Sequence, residues 1–132
     1  METETKKKQS VLPVIIAASA VVLLVSIVAV VLLFSGDKRK LQKQLDEGRR
    51  YLNELDYEKA TVAFRDAVRI DPDNEEVLDL FHDSYLRWME SDPERAEEIY
   101  EKEINTLNAI LAEGPSEPAQ QLLMKLEEGN VQ

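Results

Sequence analysis

The chain has no cysteine and a single histidine among its 132 residues. Without thiols there is no disulfide scaffold, no thiolate metal site and no thiol catalysis, although the redox compartment stays open. One imidazole excludes a His-rich metal site. The glycines number four, and none falls in a G-x-x-x-x-G-K or G-x-G-x-x-G arrangement. An H-E-x-x-H helix and an EF-hand loop are also missing. No Val/Ile alternation suggests strands. Charge is absent from one whole region: residues 11–36 carry none.

What charge there is lies unevenly around that gap. Residues 1–10 hold 3 basic and 2 acidic side chains, and residues 37–70 hold 9 basic against 7 acidic. Residues 71–132 hold 4 basic against 17 acidic, a net −13 within a chain of net −10. The bulk of the polar part would repel phosphate, so nucleic acid is excluded as an expected partner.

From Val11 to Phe34 run 24 uncharged residues, 17 of them Val, Leu, Ile or Phe. On the membrane-insertion scale those side chains favour the bilayer by about 5–10 kcal/mol. As a helix the stretch is about 36 Å long, more than a hydrocarbon core of about 30 Å, so a tilted transmembrane helix is expected. It is too long for a signal peptide, and Ala18-Ser19-Ala20 lies inside it rather than after it. Pro13 is expected in the first turn of the span, where a missing N–H costs little. Ser19 and Ser26 are the polar side chains inside the span, too few for a transport pathway. No G-x-x-x-G marks a dimerising face.

Orientation reads both ways. Lys38, Arg39, Lys40 and Lys43 follow the span and outnumber Lys6, Lys7 and Lys8 before it, which favours a cytoplasmic C-terminal side. Long domains translocate largely regardless of charge, whereas a short lysine tail with a free amino group does not. The expectation adopted is a cytoplasmic N-terminus and an outer domain, in a bacterial cell membrane. Lys38, Arg39, Lys40 and Lys43 are expected to meet anionic headgroups of membrane lipid, at roughly 1 kcal/mol each in a cytoplasmic leaflet.

Beyond Gly36-Asp37, turn signals at Asp56, Asp71-Pro72, Ser91-Asp92-Pro93 and Gly114-Pro115 divide the chain into five helical segments. The first, 38–54, carries Leu41, Leu45, Gly48, Leu52 and Leu55 at helical spacing. The second, 57–70, has Asp56 as N-cap and an apolar set of Ala60, Ala63, Phe64, Ala67, Val68 and Ile70. The third, 74–90, aligns Val77, Leu78, Phe81, Tyr85 and Trp88. The fourth, 93–112, opens with Asp92 as N-cap and Pro93 at the first position. Its stripe is Ala96, Ile99, Tyr100, Ile104, Leu107 and Leu111. The fifth, 117–128, starts at Ser116 and buries Leu122, Leu123 and Leu126.

Turns this short force antiparallel neighbours, and the segments repeat. Gly48 and Tyr51 recur as His82 and Tyr85, an offset of 34; Asp56, Ala60 and Phe64 recur as Asp92, Ala96 and Tyr100, an offset of 36. Small Gly48, Ala60 and Ala67 let two helices approach, while Tyr51 and Phe64 fill the adjoining layer.

In these residues the sequence resembles the tetratricopeptide repeat family. Gly48-Arg49-Arg50-Tyr51 matches its G-x-x-Y and Ala60 to Phe64 its A-x-x-x-F. Ala67 and Pro72 fall at its small residue and closing proline. Gln44 and Glu47 depart from its apolar positions, and the second copy, 75–110, is degenerate: His82 stands at a small position and no proline closes the unit. With the transmembrane helix read from Val11–Phe34 ahead of it, the resemblance implies an all-α fold of about two α-α hairpins and a capping helix. The expected division is a polar tail over 1–10, the span over 11–35 and a basic junction over 36–40. The helical domain takes 41–128 and a short tail 129–132.

By that resemblance the first helix of each unit lines a concave, protein-binding face. Its expected residues are Leu45, Arg49, Leu52 and Asn53, then Glu76, Asp79, Asp83, Leu86 and Arg87. Glu76, Asp79 and Asp83 share one helix side. Family members that grip a terminal carboxylate place cations there, so acids point instead to a basic or amphipathic segment of another protein. The bland reading of the same acids is a solvated surface. His82 reads as a packing or surface residue. Glu94, Glu97, Glu98, Glu101 and Glu103 read as a solvated acidic run near a helix start. No catalytic residue, cofactor, metal or small-molecule substrate is expected. The function expected is a membrane-anchored adaptor or assembly factor. Alternatives are an accessory subunit held in a larger membrane complex by its span, or a peptide-binding import or translocation receptor.

Overall fold

The structure, a computed structural model, describes residues 2–129, with side chains from Val11 onward. The side chains of the expected 1–10 tail, and residues 130–132, lie outside that range. Among the described residues the chain is helical without strands. The helices are α1 (Glu2–Asn53), α2 (Tyr57–Ile70), α3 (Glu75–Ser91), α4 (Ala96–Glu113) and α5 (Glu117–Gly129), with a 3₁₀ turn at Pro93–Arg95. It divides into two compact units, Met1–Lys38 and Arg39–Gln132.

The first unit is the apolar part of α1. Its most apolar 18-residue window has a mean hydropathy of 3.1, and none of that window is buried. Ser19, Ser26 and Ser35 each donate their hydroxyl at 2.8 Å to the carbonyls of Ile16, Val22 and Val31. Those hydroxyls are therefore satisfied inside the helix, as a lipid environment demands. Pro13 is not in the first turn as expected, because α1 begins at Glu2 and the proline sits inside it. Nor do Gly36 and Asp37 end a helix; both lie within α1.

The second unit is built on hairpins. The turn after α1 closes by a Schellman motif: Asp56 N–H bonds to Tyr51 O at 2.9 Å and Leu55 N–H to Leu52 O at 3.1 Å. The position that favours glycine is taken by Leu55, at φ 61°. Leu55 is 70 % exposed, so it leaves the apolar stripe of the first segment instead of extending it. Asp56 then caps α2 through Lys59 N–H, as the sequence indicated, and Asn74 caps α3 through Val77 N–H. Asp92 departs from expectation. Its side chain caps nothing, since Pro93–Arg95 form a 3₁₀ turn, and it pairs with Arg95 at 3.7 Å instead.

α2 packs on α3, α3 on α4 and α4 on α5, and α2 also meets α4 as α3 meets α5. The core is a continuous cluster from Ala60, Phe64, Ala67 and Val68 through Val77, Phe81, Tyr85 and Trp88 to Ile99, Leu107, Ile110, Ala119 and Leu123. Gly48 is what lets α1 join it. A Cβ there would sit 2.5 to 2.8 Å from three ring atoms of Phe64, closer than carbon atoms approach. Ser116 ties the far end: its hydroxyl donates to Pro72 O at 2.7 Å and accepts from Ala119 N–H at 3.3 Å.

The apolar stripe of α4 differs from the one read from sequence. Ile99, Glu103, Leu107 and Ile110 are buried, whereas Ala96, Tyr100, Ile104 and Leu111 are half-buried. In α2, Ile70 is half-buried and Thr61 buried; in α5, Ala119 joins Leu123 inside while Leu122 and Leu126 are half-buried.

Candidate functional site

The nine residues expected on the concave face separate into groups. Leu45 and Leu52 pack against the core cluster. They are structural rather than free for a partner, because α1 turns that side toward its neighbours. Arg49 and Asn53 are exposed, and Arg49 reaches Glu76 of α3 at 3.7 Å. Asp83 and Arg87 satisfy each other at 2.7 Å within α3, and Leu86 remains exposed. Asp79 lines an open depression between α3 and α5, with Glu75, Leu78, Gln121, Leu122 and Lys125. The face is thus shallow and mixed, with its acids on α3. Lys38, Arg39, Lys40 and Lys43 are exposed; Lys43 lies 4.0 Å from Glu47.

Two further depressions open on the unit. One, of about 430 Å³, lies between Met89, Tyr100 and Leu126, with Glu97, Glu101 and Lys125 on its rim. The other, of about 380 Å³, runs between α2 and α4 over Tyr85 and Trp88. Its cations are already engaged: Arg65 with Asp66 at 2.8 Å, Arg69 with Glu113 at 3.2 Å and Lys102 with Glu98 at 3.0 Å. Lys102 and Arg95 also sit over the Trp88 ring, 5.3 and 6.0 Å from its centroid.

The repeat-defining residues occupy the interior. Gly48, Ala60, Phe64, Ala67 and Tyr85 are buried, and Tyr51, Pro72, Ala96 and Tyr100 half-buried. Arg50 and Lys59 cover Tyr51 from 4.8 and 5.6 Å. Tyr100 donates its hydroxyl to the Leu126 carbonyl, joining α4 to α5.

One pair was not legible as such. Glu103, expected in the solvated acidic run, is 0 % exposed, and His82 Nδ1 lies 2.6 Å from its Oε1. The other oxygen, Oε2, has no hydrogen-bond partner. Burial pushes the Glu103 carboxyl up, opposed by His82. His82 is raised above its ordinary value, first by the hydrogen bond to Glu103 and then by the Asp83 and Asp79 charges. The signal was present in the internal offsets: 34 residues carry Gly48 onto His82, and 36 carry Ala67 onto Glu103. The first hairpin has small residues where the second has this pair.

Among the described residues no group of three or more His, Asp or Glu side chains is placed to hold a metal ion. Comparisons with protein-family models, with curated proteins and with solved structures give no match.

Proposed function

We propose that the chain is a single-pass membrane protein whose second unit is a short stack of tetratricopeptide-like hairpins that docks another protein. The observation that carries the anchor is the bare apolar surface of α1. From Val11 to Phe34 its Val, Leu, Ile and Phe side chains are 50–72 % exposed. Water would oppose such a surface. For the hairpin stack, the support is consecutive packing with skip contacts from α2 to α4 and from α3 to α5. The approach of Gly48 to Phe64 adds to it.

The docking face on this reading is the α3 side around Asp79, extended by exposed Leu86 and by the α3–α5 depression. Glu75 and Asp79 attract a basic or amphipathic segment, and half-buried Leu122 offers it apolar contact. Binding there is modest, and confinement in the membrane raises the effective concentration of a partner held in the same bilayer. Docking rather than catalysis is the reading, because Glu103 is fully buried and the His82–Glu103 pair lines none of the three depressions. The second unit is placed on the outer side, with the N-terminus cytoplasmic.

A photo-crosslinker at Asp79, in the natural chain and in one whose Val11–Phe34 is replaced by an unrelated apolar anchor, tests the reading. Crosslinks to one partner that survive the replacement support docking through the helical unit. Their loss with the native span makes the chain an accessory subunit held in a larger membrane complex by its span.

A further inference from the structure

We infer that His82 and Glu103 form a proton-operated clasp that holds α4 against α3 while the imidazole is charged and weakens the helical unit when it is not. A fully buried carboxylate is costly unless a charge partner and hydrogen bonds compensate it. Here one oxygen is bonded to His82 Nδ1 at 2.6 Å and the other is bare. The imidazolium is therefore the compensation that Glu103 has. His82 is itself 29 % exposed along its side chain, so bulk protons reach it.

The surroundings favour the charged ring. Asp79 and Asp83 on α3 reinforce the imidazolium. Tyr85, on α3, and Tyr100, on α4, both feel the Glu103 charge and are raised above their ordinary 10, first by burial. They stay neutral. Arg65 from α2 acts on Tyr85, and Glu127 from α5 acts on Tyr100. Lys125, also on α5, lines the depression with Asp79.

The sign follows from linkage. A histidine raised above its ordinary 6.5 contributes stability that is fully present below 6.5 and lost as the pH rises through its folded value. Glu103, also raised, pulls the same way, since its protonated form is the one burial favours. Neutral His82 keeps its N–H for Glu103, but the buried anion then stands without a counter-charge.

His82 is the one histidine of the chain, so its ring proton signal is unambiguous in a magnetic resonance titration of the full chain in detergent micelles. Trp88, the one tryptophan, reports thermal unfolding by fluorescence in the same samples. The natural chain should show a His82 midpoint above 6.5 and a thermal midpoint that falls between about pH 6 and about pH 9. Glu103→Gln should bring the His82 midpoint down and flatten the thermal profile over that window. Should Glu103→Gln fail to fold, Glu103→Met offers an apolar replacement of similar length with the same expected flat profile. A His82 midpoint at or below 6.5 in the natural chain overturns the clasp. So does a thermal slope that the natural chain and the folded variant share.

Discussion

Replacing Gly48 by alanine sets two opposing effects against each other at one atom. In an exposed helix interior the change favours folding by about 1 kcal/mol through helix propensity. At Gly48 the added Cβ would meet Phe64 Cε1 at 2.5 Å, Cζ at 2.7 Å and Cδ1 at 2.8 Å. Phe64 is fully buried in the core cluster, so its ring has nowhere to swing. Overpacking of this kind costs about 1–3 kcal/mol, and the net expectation is a loss of about 0–2 kcal/mol, centred near 1 kcal/mol. In a unit of this size a loss of 1 kcal/mol lowers Tm by roughly 4–8 °C. Unfolding followed at Trp88 in the full chain reads it, with Gly36→Ala as control, since nothing lies within 4 Å of a Cβ at Gly36. The mechanism makes a second demand: Phe64→Leu shortens the obstructing ring, so Gly48→Ala with Phe64→Leu should lose less than the two changes summed. A Gly48→Ala chain as stable as the Gly36→Ala control would refute the close approach of α1 to α2.

Leu55→Gly should stabilise the unit by up to about 1 kcal/mol. A left-handed L-residue costs about 1–2 kcal/mol, part of which glycine's backbone entropy gives back; chemical denaturation measures the gain. Ser116→Ala removes a cap and leaves the Pro72 carbonyl without its donor, a loss of about 1–3 kcal/mol by the same assay. In acid, the Arg95 and Lys102 hydrogen bonds hold Glu98 down to about 2 from 4.5. Its stabilisation is present above 4.5 and lost as the pH falls toward 2. Glu98→Gln should flatten that acid limb, and added salt should shrink the difference, because the pair is exposed.

The helices were legible where punctuation and capping agree. Asp56 before Tyr57 and Asp71-Pro72 after Ile70 bracket α2, and the structure starts and stops it there. Ser116 likewise announces α5. Leu55 misled because its spacing from Leu52 continues an apolar stripe, whereas the hydrogen bonds that place it at φ 61° come from the turn geometry around Tyr51 and Asp56. Leu45 and Leu52 looked free because helical spacing fixes a side of α1 but not which neighbours cover that side. Glu103 was misread for a deeper reason. A carboxylate's burial depends on a partner from another helix, here His82 at a separation of 21 residues, and local periodicity carries no information about it. The depression beside Asp79 was not legible, because α5 creates it by lying against α3.

On the proposed function α1 resides in lipid while the second unit stands in water. Alkaline carbonate extraction of membranes from cells making the full chain, followed by blotting of pellet and supernatant with N- and C-terminal tags, reads this directly. The intact chain should stay in the pellet, and detergent should release it. Intact chain in the carbonate supernatant, still bearing its N-terminal tag, would contradict the proposed function.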